Sequence, residues 1–359
     1  MQAIKQTSPY VRKQVSTKRM MIDVLIALLP VVIFAIYRFG WDAIVRLLVS
    51  LVLMIGLEAL IIGMTHKPKK TDQTFKEKLK SRYSTYTINN ITAPAVSAVI
   101  YALLMPSKLP VYAVAVGAIF AIVVVKMMFG GLGGNIFNVA AAGRRFVSIA
   151  LTGMFAGVYV GMDMVAGATP LNALKGGMGF PSVLNSYPIL DLFTGNIPGT
   201  MGEVSAVAIL IGLIHLLIRR TADYRIVLST AIAFVSLITL IGLKLYPTQW
   251  MEFLLYNLFS GGLLFGLTFM VTDPVTAPLT RPGRWLYGLL IGSLIVLIRT
   301  FGAYAEGVAA ALLFANMFVP LIDYPKWSTN VIRPKFVISY VVILVLMGLV
   351  VYFGVGGAV

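Results

Sequence analysis

The chain has 359 residues, 59% hydrophobic and only 12% charged, with mean hydropathy +0.91, whereas soluble domains carry about a quarter charged residues; the composition specifies a polytopic membrane protein. The net charge of +16 gathers in segments flanking apolar runs, with no basic stripe interleaved with aromatics, so it reports orientation and contact with anionic membrane lipid rather than a nucleic-acid partner. The absence of cysteine excludes disulfides and cysteine-held iron–sulfur clusters within this chain, and His66 and His215 stand far apart beside basic residues, which leaves no metal site.

Residues 1–20 are polar and basic, lack a signal-peptide pattern, and read as a cytoplasmic segment. A membrane crossing takes about 20 apolar residues. Apolar runs of that kind lie at 21–37, 43–64, 88–105, 109–128 and 136–160, which together form a first membrane unit, 21–160. A polar stretch, 161–202, follows. A second unit, 203–359, holds runs at 203–218, 226–246, 252–272, 285–300 and 336–356. The stretch 304–323 is either a full crossing or a re-entrant half-helix, so the count is ten or eleven. Lys67, Lys69, Lys70, Lys76, Lys78, Lys80 and Arg82 follow the second run and belong in the cytoplasm with the N-terminus. Arg219, Arg220, Arg225, Arg281 and Arg284 fall on the same side. The 161–202 loop, whose one basic residue is Lys175, falls outside. Lys326, Arg333 and Lys335 ask for the inside, which requires 304–323 to cross.

The two units share a plan. Met105-Pro106 ends one run and Asp273-Pro274 another, and 28 residues separate Pro106 from Gly134 and Pro274 from Gly302. Each glycine-containing break precedes a small-residue run, Val139-Ala140-Ala141-Ala142 and Val308-Ala309-Ala310-Ala311. Two halves of about five crossings each are then inverted relative to one another, and such folds place sites near the midplane at broken helices. The expected fold class is an all-α polytopic membrane protein, about ten transmembrane helices in two inverted repeats with broken or re-entrant helices. In the first break Asn135 and Asn138 are spaced i, i+3, so on a helix they would share one face. Their amides suit the edge of an isoalloxazine or quinone, or else cap a helix.

Acids in apolar surroundings are costly and usually functional. Asp273, Glu58, Glu203 and Glu306 stand in or beside such runs. A following proline marks Asp273 as a helix stop, so function and structure compete evenly there and at Glu306. Structure is the favoured reading for Glu58 and Glu203. No nucleophile–base–orienter set, P-loop or H-E-x-x-H string is present, so no catalytic side chain is assigned.

The outer loop contains Asp163-Met164-Val165-Ala166-Gly167-Ala168-Thr169, followed by Pro170-Leu171. This string resembles the site where a flavin transferase esterifies FMN to a threonine hydroxyl. Thr272-Asp273-Pro274-Val275-Thr276-Ala277, Gly283-Arg284-Trp285-Leu286-Tyr287-Gly288, Ile298-Arg299, Tyr304-Ala305-Glu306-Gly307, Gly134-Asn135-Ile136-Phe137-Asn138 and Pro198-Gly199-Thr200-Met201-Gly202-Glu203 look like the RnfD/NqrB family. The similarity spans essentially the whole chain, and the short loops suit RnfD better than NqrB.

The resemblance implies the D subunit of an Rnf complex, a multi-pass protein of the cell (inner) membrane. Such a subunit takes part in electron transfer between ferredoxin and NAD coupled to Na⁺ or H⁺ translocation. It implies partners of the A, B, C, E and G types and a flavin transferase. It further implies covalent FMN on Thr169 as a phosphoester, with Asp163, Gly167 and Ala168 as the recognition string. Ala166 stands where Ser or Thr is common. Riboflavin is implied in the membrane part, where Asn135, Asn138 and Asp273 are the candidates to surround it. The competing readings are an inverted-repeat channel or secondary transporter without redox function, and a NqrB-like quinone-reducing subunit.

Overall fold

A computed structural model of the chain describes residues 16–68, 74–84, 86–155, 159, 169–302 and 304–355. Among them every regular element is a helix. Helix α1 (Thr17–Phe39) starts where the Ser16 side chain accepts from the Arg19 backbone N–H. Gly40, at φ +54°, turns the chain into α2 (Trp41–Thr65). The short polar α3 (Phe75–Arg82) opens with a capping box between Thr74 and Glu77. Then come α4 (Asn89–Leu103) and α5 (Val111–Phe120), which runs on as π-helical turns over Ala121–Met127. After the Gly-rich break, α6 (Val139–Ala150) is only 12 residues long. Three short helices follow in the polar loop: α7 (Pro170–Lys175), α8 (Phe180–Ser186) and α9 (Ile189–Thr194). The second unit comprises α10 (Ala206–Arg219), α11 (Tyr224–Leu245), α12 (Trp250–Phe259), α13 (Leu263–Phe269), α14 (Arg281–Phe301), α15 (Val308–Ile322) and α16 (Pro334–Val355).

Five helices, α1, α2, α11, α14 and α16, are long and apolar enough to cross a membrane, and α12 with α13 makes a sixth candidate bent by 50°. Two long runs in the sequence are interrupted in space. In the run at 136–160, α6 ends at Ala150 and one 3-10 turn follows at Thr152–Phe155. The run at 252–272 breaks at Ser260-Gly261-Gly262, where both glycines have φ near +66°, a region costly for residues with a Cβ. A Cβ on Gly262 would also collide with the Glu203 carboxylate.

Helix α1 packs on α4 and α10, and α2 on α4 and α5. In the second unit α10 packs on α13, and α11 on α12 and α14. The half-helices α6 and α15 touch each other at the centre. At one end of the bundle, Asp23 accepts from Arg219 and Thr221 at 3.1 Å each, and Asp223 pairs with Arg225 and Arg284. Asp323, just past α15, accepts from the Leu279 N–H and from the Thr280 hydroxyl at the foot of α14. Helix α15 therefore ends on the Arg281 and Arg284 side. The segment holding Lys326, Arg333 and Lys335 returns there, as basic-residue placement asks. At the opposite end Asp42 pairs with Lys108 at 2.8 Å, and Arg46 donates to Leu109 O.

Candidate functional site: two cavities around broken helices

The Gly-rich break delivers Asn138 to the start of α6. Its Oδ1 accepts from the Ala141 N–H at 3.0 Å, and its own N–H donates to Asn316 Oδ1 on α15 at 3.1 Å. Asn138 Nδ2 donates to Asp273 Oδ2 at 3.2 Å and lies 3.5 Å from Met270 O. Asp273 also accepts from the Val275 N–H and the Thr276 hydroxyl, both at 3.1 Å. Asn316 Nδ2 donates to Tyr287 OH at 2.7 Å and to Thr276 O. These bonds stitch the start of α6 and the middle of α15 to the turn after α13. Asn138 and Asp273 are thus brought together as the sequence suggests, and Asn138 performs the capping role named as its alternative.

Asn135, Asn138 and Asp273 line one cavity of about 70 Å³, with Lys126, Thr268 and Met20 among its other walls. Asn135 Nδ2 is engaged too, donating to Phe137 O at 3.0 Å. A ring entering here displaces those bonds or is held by shape. Sequence reasoning missed the wall behind it. Lys126, in the π-helical turn, pairs with Glu58 on α2 at 2.6 Å, both side chains almost fully buried. The Asn90 side chain also bonds the Glu58 carboxylate. The available signal was one base and one acid, each alone in its own apolar run.

A second cavity, about 200 Å³, lies on the other side of Met270. The C-terminal half of α6 supplies Arg144, Arg145 and Ser148, the break before α15 supplies Tyr304 and Glu306, and Glu203 and Asn172 close it. Arg144 Nη2 donates to Tyr159 OH at 3.3 Å and lies 3.9 Å from Glu306 Oε2. The guanidinium stacks 4.6 Å above the Phe155 ring, and Arg145 stacks 3.7 Å above Tyr304. Arg299, behind the wall, donates to the Asn257, Ser260 and Gly261 carbonyls that the α12–α13 break leaves free. Glu203 and Glu306 were each read singly in the sequence; here both line one chamber.

Thr169 caps α7, whose Asn172 lines this chamber. Its hydroxyl accepts from the Asn172 N–H at 3.4 Å, and the residue is 5% exposed. Asp163, Gly167 and Ala168 lie outside the described residues. Lys175 ends α7 with its ammonium among the Ile298, Arg299, Gly302 and Tyr304 carbonyls at the end of α14. Partial burial pulls its pKa below the ordinary lysine value.

A profile of the NQR2, RnfD, RnfE family matches residues 4–332. The chain belongs to that family. Among family members similar to it, the B subunit of the Na(+)-translocating NADH-quinone reductase of Klebsiella pneumoniae is 40% identical over 250 residues. That alignment covers 67% of this chain and 60% of the relative, so the chain spans only about three-fifths of that protein. The same subunit of Haemophilus influenzae is 36% identical over 365 residues, covering 91% and 88%. That of Ectopseudomonas mendocina is 34% identical over 361 residues, covering 92% and 89%.

Proposed function

We propose that this family member is the membrane electron-transfer subunit of an ion-translocating oxidoreductase and carries FMN esterified to Thr169. The observation that carries the reading is the chamber lined by Asn172 of α7, the helix that Thr169 caps: an arginine-lined hollow inside an otherwise apolar protein. FMN would supply the redox chemistry that no side chain of this chain offers. The chain's own part is to anchor the phosphate at Thr169, exclude water with the loop helices, and compensate charge with Arg144 and Arg145. The inner cavity is the place for a second flavin, riboflavin, or for a quinone head. The six residues from Asn138 to Arg144 cover about 9 Å along α6 at 1.5 Å per residue, so the two cavities face each other across a thin partition.

The crossings number eleven in this reading: α1, α2, α4, α5 with its π turns, α6, α10, α11, the bent α12–α13, α14, α15 and α16. The packing plan supports two inverted halves, since α1 on α4 and α2 on α5 repeat as α10 on α13 and α11 on α14. The basic loops put the N-terminus in the cytoplasm of a cell-membrane protein and Thr169 outside. A cysteine placed at Ser182 should then react with an impermeant maleimide in intact cells, and one at Lys78 should not. The reverse pattern overturns the orientation.

Short loops favour an Rnf-type D subunit, working with A, B, C, E and G subunits and matured by a flavin transferase. The relatives, B subunits of the Na(+)-translocating NADH-quinone reductase, favour the second reading, a quinone-reducing NqrB-type subunit. Membranes holding the complex decide: ferredoxin-dependent NAD reduction supports the first, and quinone reduction by NADH the second. A chain that yields no flavin fluorescence on a denaturing gel after co-expression with its transferase defeats both covalent readings and returns the channel alternative.

A further inference from the structure

Among the described residues Arg220 is the only one other than glycine with a left-handed backbone, at φ +59°. It ends α10, where its N–H donates to Leu217 O. That place commonly falls to glycine, because a Cβ makes the conformation costly. A non-glycine residue held there is a pointer to function. The Arg220 side chain is exposed and makes no hydrogen bond or ion pair among the described residues. No contact of its own guanidinium within the described protein offsets the strain.

Arg220 lines a cavity of about 580 Å³ where α10 hands over to α11 and α14 begins. Arg225 and Arg284 line it too, and Asp223 is the one carboxylate on its wall. Asp223 is shared: Oδ2 accepts from Arg225 Nη1 and Arg284 Nη1, and Oδ1 accepts from the Arg225 N–H. Asp23, at the same end of the bundle, is taken by Arg19, Arg219 and Thr221 and does not line the cavity. Three guanidiniums against one carboxylate leave the wall with two positive charges in excess. Guanidiniums in such a group match the several oxygens of a phosphate. The remaining wall is largely apolar, with Met20, Leu217, Ile226, Ala277 and Pro278.

We infer that this cavity holds the phosphate of an anionic phospholipid, with Arg220 completing the site. Helices α11 and α14 are both long and apolar enough to cross a membrane, and the cavity lies at their first turns, so it stands at headgroup level. In the proposed orientation that is the cytoplasmic leaflet, where anionic lipids are drawn to basic pockets between helices. Tyr224, half exposed beneath the Arg225 guanidinium at 4.9 Å, is a ring of the kind that sits at this level. Charge and apolar wall meet in one hollow as phosphate and glycerol meet in one lipid, whereas a free phosphate would leave the apolar part bare. Asp223 fixes Arg225 and Arg284 in place, and the uncommitted Arg220 is free to close on the guest. Glycine at this position would relax the backbone without loss of any contact among the described residues, so the guanidinium is what the strain secures.

The test uses the full chain in lipid nanodiscs, as wild type, R220G, R220N and R220K. R220G relaxes the turn and should melt no lower than wild type in phosphatidylcholine alone. R220N, whose side chain tolerates the same backbone, repeats the test should R220G fold poorly. Native mass spectrometry reads how much phosphatidylglycerol and phosphatidylcholine each protein retains from an equal mixture. Wild type should prefer phosphatidylglycerol, R220G and R220N should lose about fivefold of that preference, and R220K should keep most of it. Phosphatidylglycerol should also raise the melting temperature of wild type, and that of R220G by less than half as much. A preference equal in wild type, R220G and R220N overturns the inference. Inorganic phosphate added to phosphatidylcholine nanodiscs separates the sources. Stabilisation by phosphate that matches phosphatidylglycerol and vanishes in R220G keeps an anion site but overturns the lipid as its occupant. Binding indifferent to headgroup, with the other subunits lost from an R220G complex, overturns it in favour of an acidic protein surface.

Discussion

The inner and outer cavities lie on the two sides of one layer of short helices and differ in how their polar groups are bonded. Around the inner cavity the amides of Asn135 and Asn138, the Asp273 carboxylate and Lys126 are bonded within the protein, while the buried Thr268 hydroxyl has no partner among the described residues. Around the outer one, Arg144 keeps a buried nitrogen unmatched among the described residues, and Phe155 and Tyr304, on which Arg144 and Arg145 stack, belong to the wall. Satisfied groups hold helices together, while an unsatisfied group waits for something else. The inner polar set joins helices around the place proposed for a second ring, and the outer set is the wall assigned to the proposed FMN.

The sharpest way to break this contrast is T169A. Replacing the hydroxyl should remove the flavin mass from the outer loop entirely while leaving the fold intact, since loss of this cap costs about 1 kcal/mol. Mass spectrometry of the loop peptide reads the first effect, and a thermal melt the second. A modified peptide persisting in T169A moves the anchor elsewhere.

Next in size is K126A. Removing one partner of a buried ion pair costs about 3–5 kcal/mol, whereas replacing both with apolar residues is often neutral. K126A should lower the melting temperature steeply in detergent, and E58L/K126L should recover most of it. A double variant as unstable as K126A would mean that the inner cavity needs the charges themselves.

N138A comes third. It removes a helix cap and a hydrogen bond to a carboxylate, together about 2 kcal/mol. If the inner set is architecture, N138A should lose stability with no change in the spectrum of flavin on Thr169. The smallest effect is K175Q, which weakens a cation at the end of α14 by about 0.5 kcal/mol. Its melt should shift by a degree or two at most, with the adduct retained.

Much of the outline was legible in the sequence because crossings are written as long apolar runs, and α1, α2, α11, α14 and α16 follow their runs closely. The breaks at Gly130–Gly134 and at Gly302 were also visible, because glycine and a following run of alanines mark a helix restarting. What was hidden depended on distance in space. The break at Gly261 and Gly262 sits inside an unbroken apolar run, and the positive φ of both residues, with Leu171 against Gly261 and Glu203 against Gly262, explains why no side chain is tolerated there. Arg144 looked like one basic residue in an alanine-rich helix. Its meaning lies in Glu306, 162 positions away, and in a nitrogen with nothing opposite it. Hydropathy also gave no sign that α6 ends at Ala150 inside the apolar run at 136–160.

The Glu58–Lys126 pair bears on how the protein is made. Glu58 leaves the ribosome with α2, and its partner follows 68 residues later. Until then, α2 carries a lone carboxylate, and a single charge at the centre of a membrane helix costs about 3 kcal/mol on insertion scales. The lateral exit of α2 into lipid is therefore opposed until α5 arrives with its ammonium. Helices α2 to α5 should leave the insertion machinery as one group, and nascent chains halted before residue 126 should stay cross-linkable to it through α2. The π-helical turn that aims Lys126 at Glu58 would then act as a timing mark in biogenesis, set before either cavity exists.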